Sequence, residues 1–93
     1  MEAWIVRRGA VISGVVQAVG YRYSACLAAR RLGVAGFVRN RSDGAVELEV
    51  EGSPEAVDAM LDWAATGPAG ARVASVKTAE REPIGSRGFD IRE

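Results

Sequence analysis

The chain has 93 residues, 48% hydrophobic and 26% charged, with twelve basic and twelve acidic side chains that cancel. Such a composition describes one globular domain, residues 1–93, and excludes a disordered chain, a membrane span and a nonspecific nucleic-acid coat. One cysteine, Cys26, and no histidine exclude an intramolecular disulfide and a structural zinc site, fit a reducing, cytoplasmic setting, and leave any catalysis without imidazole.

Trp4 to Ser13, rich in tryptophan, isoleucine and valine, reads as a first strand ended by the glycine-punctuated stretch Gly14 to Gly20. Arg7-Arg8 followed by an apolar run superficially resembles a signal peptide, but Gln17 in its middle and the breaks at Gly14 and Gly20 argue for a strand feeding a turn. From Tyr21, the positions Ser24, Ala25, Ala28, Ala29 and Leu32 keep the spacing of one helical face, and Gly33 stops it. Val34 to Arg39 and Ala45 to Val50 form a hairpin around Asp43-Gly44. In its second strand Val46, Leu48 and Val50 alternate with Glu47, Glu49 and Glu51, which predicts one buried face and one solvated acidic face.

Ser53-Pro54-Glu55 supplies an N-cap, a first-turn proline and a first-turn acid, so a second helix starts there. Val57, Met60, Leu61 and Ala64 make its buried stripe, and Gly67-Pro68 ends it. Arg72 to Glu82 reads as a fourth strand, and Gly88 to Arg92, with Phe89 and Ile91 on one side, as a possible short edge strand. The order is the split βαβ pattern of a ferredoxin-like α/β (α+β) sandwich: an antiparallel four-stranded sheet with two helices on one face and a possible fifth strand.

Residues 1 to 46 carry seven arginines against Glu2 and Asp43, whereas the rest carries five bases against ten acids; an anionic ligand favours the first part. Between strand and helix, the loop Val15-Val16-Gln17-Ala18-Val19-Gly20-Tyr21 can turn backbone N–H groups toward one point, where the positive helix end favours an oxyanion. Arg22, in the first helical turn, can add a bidentate guanidinium contact. Taken alone, such a loop reads more simply as a tight connection, Asn40 as a side-chain cap of its turn, and Arg22 as a solvated surface charge. Arg39 and Arg41 read as exposed charges that steer anions, and Cys26 as packing rather than a nucleophile.

Two motifs change that balance. Gly14, Val16, Gln17, Val19 and Arg22 match a signature of the acylphosphatase family, Gly-x-Val-Gln-Gly-Val-x-Phe-Arg. Gly36-Phe37-Val38-Arg39-Asn40, Gly44, Val46 and Gly52 meet every fixed position of a second one, so the sequence resembles that family over essentially its whole length. The resemblance implies hydrolysis of a small-molecule acyl phosphate to a carboxylate and inorganic phosphate, the latter also a competitor. It implies that Arg22 and the amides of residues 15–21 bind the phosphoryl group and that Asn40 orients the attacking water. The composition, with no ligand cluster for a metal, no membrane-spanning segment and no net basic charge, adds the expectation of a monomer with no metal, cofactor, nucleic-acid or membrane partner.

Two positions depart from the pattern: Ala18 stands at a family glycine and Tyr21 at a family phenylalanine. Tyrosine keeps the ring if its hydroxyl finds a partner. If residue 18 is left-handed, the extra Cβ costs roughly 1–2 kcal/mol and can tilt an amide away from phosphate. That departure keeps open an alternative, a catalytically weak relative that binds phosphate-like anions. An RNA-recognition module shares the element order, but the strand from Ala45 to Glu51 is acidic and carries no aromatic platform.

Overall fold

A computed structural model describes residues 4–93; residues 1–3 of the expected domain lie outside the described residues. The elements run β1 (Val6–Val15), α1 (Tyr21–Leu32), β2 (Ala35–Asn40), β3 (Val46–Gly52), α2 (Pro54–Thr66), β4 (Arg72–Arg81) and β5 (Phe89–Arg92). The sheet order is β4-β1-β3-β2-β5. The first four strands pair antiparallel, as expected; β5 adds parallel to β2, so the sheet is mixed. No helix of the described residues is long and apolar enough to cross a membrane.

The core lies between the sheet and its two helices: Ile12, Val38, Val46, Leu48 and Val50 from the strands meet Ala25, Ala28, Ala29, Val57, Met60 and Ala64. Leu61 of the expected stripe is only partly buried. Both helices begin and end where the local chemistry directs. Ser53 Oγ accepts the Ala56 N–H and caps α2 ahead of Pro54, and Gly33, left-handed at φ 75°, closes α1 by donating its N–H to the Ala29 carbonyl.

Tyr21 at the start of α1 is fully buried, and its hydroxyl donates to the Ala64 carbonyl at 2.7 Å. That bond satisfies one of the carbonyls the last turn of α2 leaves open, so the polar atom added by tyrosine has a partner. Burial pushes the Tyr21 phenol well up.

Two expectations are corrected. The first strand does not stop before Gly14: that residue, at φ 125°, pairs with Val73, the register shifts by one because Ala74 of β4 is the extra residue of a bulge, and pairing continues through Val15 opposite Arg72. A Cβ there would sit 2.2 Å from the Arg72 carbonyl oxygen, so the strand passes only as glycine.

The acidic face of β3 is not simply solvated either. Glu47 pairs with Arg39, Glu49 with Arg7, and Glu51 is buried. Glu51 accepts from the Arg7 guanidinium and from the N–H groups of Ile84, Gly85 and Ser86 in the β4–β5 connection, which folds over that end of the sheet. At the far edge Phe89 is buried, whereas Ile91, next on the same face, is 45% exposed at the end of the sheet.

Candidate active site

Because β1 and β2 both run antiparallel to β3, they are parallel to each other and their C-terminal ends open at one pole of the molecule. Val46 of β3 pairs with Ile12 on one side and Asn40 on the other. Paired residues share a face of a sheet, and Val46 is fully buried beneath the helices. Asn40 therefore projects, half-buried, toward the layer that holds α1. The loop from β1 and the first turn of α1, with Arg22, lie at this same pole.

The loop itself is open toward an anion. Val16 anchors it in the core, 1% exposed, while among the described residues no N–H of residues 17–20 donates to another backbone group. Gly20, left-handed at φ 76°, is the N-cap of α1; no side chain caps this end, and no acidic residue occupies the first turn. The first-turn N–H groups and the positive helix end thus carry neither a side-chain cap nor a first-turn acid. Arg22 is half-buried. It makes no ion pair among the described residues, whereas Arg39 is held by Glu47 and Arg41 by Asp43. Arg39 and Arg41, expected as exposed charges that steer anions, keep side chains 42% and 38% exposed but are each paired to a neighbouring carboxylate.

Ala18 has φ 62°, the only non-glycine residue with positive φ among the described residues. The chain keeps the left-handed loop conformation despite the methyl group, so amide directions survive and the cost falls on stability. Relief of about 1–2 kcal/mol of left-handed strain outweighs the roughly 0.4–1 kcal/mol of extra unfolded-state entropy that glycine brings. Ala18→Gly is therefore expected to raise stability by about 0.5–1 kcal/mol, read as a higher urea midpoint at unchanged slope, and to bind phosphate at least as well. A lower midpoint would show that the loop carries no strain at this residue.

Asn40 does not cap its turn through its side chain among the described residues. That task falls to Asp43, whose Oδ1 accepts the Ala45 N–H at 3.0 Å, and to the Arg41 N–H, which donates to the Ala45 carbonyl at 2.8 Å. The Ala45 N–H first, and then the Arg41 guanidinium, hold the Asp43 carboxyl below its ordinary range. The Asn40 carboxamide is left available at the mouth of the hairpin.

One contact escaped the reading of the sequence. The Gln17 side-chain amide donates to the Arg41 carbonyl at 2.8 Å and to the Ala45 carbonyl at 2.9 Å. It joins the β1–α1 loop to the β2–β3 turn. The available signal was that Gln17 is the sole polar side chain between Gly14 and Gly20.

Cys26 is buried in α1, and burial pushes its thiol up, with Arg30 opposing and Asp90 adding to the shift. A thiol so placed is a poor nucleophile. A cavity of about 850 Å³ opens at the opposite pole, between Ile5, Arg30, Gly33, Glu51 and Arg87. None of the candidate residues lines it, and its buried carboxylate, Glu51, is already engaged by Arg7 and three amides. Among the described residues no group of three or more His, Cys, Asp or Glu side chains is placed to hold a metal ion.

A family model described as Acylphosphatase matches residues 9–91. An acylphosphatase of Acidovorax sp. (strain JS42) is 52% identical over 82 residues, 88% of this chain and 84% of that protein. One from Thermococcus kodakarensis is 49% identical over 86 residues, 92% of this chain and 94% of that protein. The crystal structure of acylphosphatase from Bacillus subtilis superposes with a TM-score of 0.91 at 29% identity, covering 95% of this chain and 99% of the other.

Proposed function

Because the chain belongs to the acylphosphatase family, hydrolases acting on acyl phosphates, we propose that Arg22, the loop amides of residues 15–21 and Asn40 carry out that hydrolysis without a metal. The observation that supports this most is the joint opening, at one pole, of a helix N-terminus without a side-chain cap, an arginine with no acidic partner among the described residues and a carboxamide its own turn does not use. The amides and Arg22 hold the phosphoryl oxygens, and Asn40 places a water in line with the bond to be broken. Water oxygen forms the new bond to phosphorus, the bond from phosphorus to the acyl oxygen breaks, and the carboxylate leaves with the electron pair. The water proton passes to a phosphate oxygen.

This chemistry needs no histidine. The conjugate acid of the leaving carboxylate has a pKa of about 4, so no general acid is required at neutral pH. With so good a leaving group, positioning and charge stabilisation supply most of the catalysis. The face of the sheet away from the helices bears the partly exposed pair of Arg39 with Glu47, which resists burial against a second copy and supports a monomer. The lone cysteine supports a cytoplasmic setting.

The purified protein is expected to hydrolyse benzoyl phosphate in the presence of a metal chelator, with inorganic phosphate as a competitive inhibitor. Turnover that vanishes with chelator and returns with a divalent ion would overturn the metal-free mechanism. Phosphate binding without turnover would leave the anion-binding relative as the correct reading.

A further inference from the structure

The two halves of the proposed site come from segments far apart in sequence, and one side chain spans them. The nitrogen of the Gln17 carboxamide donates to the carbonyls of Arg41 and Ala45, at 2.8 and 2.9 Å, across 24 and 28 residues. Two carbonyl acceptors set the amide orientation, since only the NH₂ end can serve both. Arg41 follows Asn40 directly, and Ala45 precedes Val46, the residue opposite Asn40 in the sheet. The Ala45 carbonyl also receives the Arg41 N–H, so Gln17 locks onto the point where the hairpin closes.

We infer that Gln17 is a positioning residue for hydrolysis: its side chain sets the distance and angle between the phosphate-holding loop and Asn40. The inference rests on the proposed roles of Arg22 and Asn40. The loop is attached to the core through Val16 on one side and Tyr21 on the other, both 1% exposed, so it keeps its own shape without Gln17. What Gln17 adds is registration against the turn. In-line attack needs the water and the phosphorus held within fractions of an ångström, and a displacement of about 1 Å costs roughly a hundredfold in rate.

The test is a double-mutant cycle on the full chain with benzoyl phosphate as substrate and inorganic phosphate as the binding probe, each variant first shown to be folded by its urea midpoint. Gln17→Met fills the same space and removes both donors. It is expected to lower kcat about ten- to a hundredfold, to change phosphate affinity by less than about threefold, and to add less than about threefold to the loss already present in Asn40→Ala. Gln17→Asn, one methylene too short to reach both carbonyls, gives a smaller kcat loss of the same pattern and serves if the methionine variant does not fold. Unchanged kcat in both variants, or a fall in phosphate affinity parallel to kcat, overturns the inference. A loss that multiplies in full with that of Asn40→Ala overturns it too, because Gln17 would then act on something other than Asn40. Near wild-type kcat in Asn40→Ala alone is the separate outcome in which the water-positioning role of Asn40 fails and takes this inference with it.

Discussion

Folded Asn40→Ala is expected to lose kcat for benzoyl phosphate by roughly a hundredfold or more while still binding inorganic phosphate within about threefold of wild type, and Arg22→Ala is expected to lose both. The two side chains lie at one pole but serve different atoms. A guanidinium facing the phosphoryl oxygens contacts them in bound substrate, in bound phosphate and in the transition state, so its removal weakens all three; a charge-assisted contact of this kind is worth about 1.5–3 kcal/mol, roughly ten- to over a hundredfold in Kd. A carboxamide that holds water contributes chiefly when the water attacks, the pattern of lower kcat with unchanged ground-state binding. The turn should survive the loss of Asn40, because Asp43 and the Arg41 N–H close it. Near wild-type kcat in Asn40→Ala, or phosphate binding lost as badly as in Arg22→Ala, would show that Asn40 does not position the water.

The parts of the fold readable in the sequence were those written in local chemistry. Ser53-Pro54-Glu55 names the start of α2, Asp43-Gly44 the β2–β3 hairpin, and the alternation in β3 tells which side chains enter the core. Local pattern also says that Glu47, Glu49 and Glu51 share the other face. It does not say what lies over that face.

The partners of Glu51 are Arg7, 44 residues away, and amides 33 to 35 residues away, and only the assembled sheet brings them together. The contact Gln17 makes escaped notice for the same reason, since its acceptors are main-chain carbonyls that carry no side-chain signature. Gly14 was misread through an ambiguity of glycine itself: the freedom that ends a strand also lets one continue past a bulge in its partner. At the candidate site, residue types and their spacing were legible, but the freedom of the Asn40 side chain from its turn was not, because it depends on Asp43 taking that task.

Replacing Glu51 by alanine is expected to destabilise the protein by about 3 kcal/mol at neutral pH, a large share of the roughly 5–15 kcal/mol that holds a domain together. Glu51 and Arg7 are among the most enclosed charged groups of the described residues, with side chains 5% and 3% exposed. Arg7 donates to Glu51 at 3.0 Å, to Glu49 at 2.8 Å and to the Ser86 hydroxyl at 2.9 Å. Removing Glu51 leaves a buried guanidinium short of one partner and three backbone N–H groups of residues 84–86 with none. The cost sits at the low end of the range for a broken buried pair because Glu49 still faces Arg7.

The effect also has a pH signature. Burial by itself would raise the Glu51 carboxyl, but the Ile84 N–H, the Arg7 guanidinium and the Gly85 N–H together outweigh it and hold the group below its ordinary range. An unfolded glutamate titrates near about 4.3, so between that value and the lower folded one the unfolded chain binds more protons, and stability falls as pH falls. The contribution is fully present above the ordinary carboxyl range and fades below it. The urea-derived stability gap between wild type and Glu51→Gln, which cannot ionise, should therefore narrow as pH is lowered from 7 toward 3. A gap that stays constant over that interval would mean that the Glu51 charge does not hold the β4–β5 connection, and an alanine variant within about 1 kcal/mol of wild type at pH 7 would mean that the whole network contributes little.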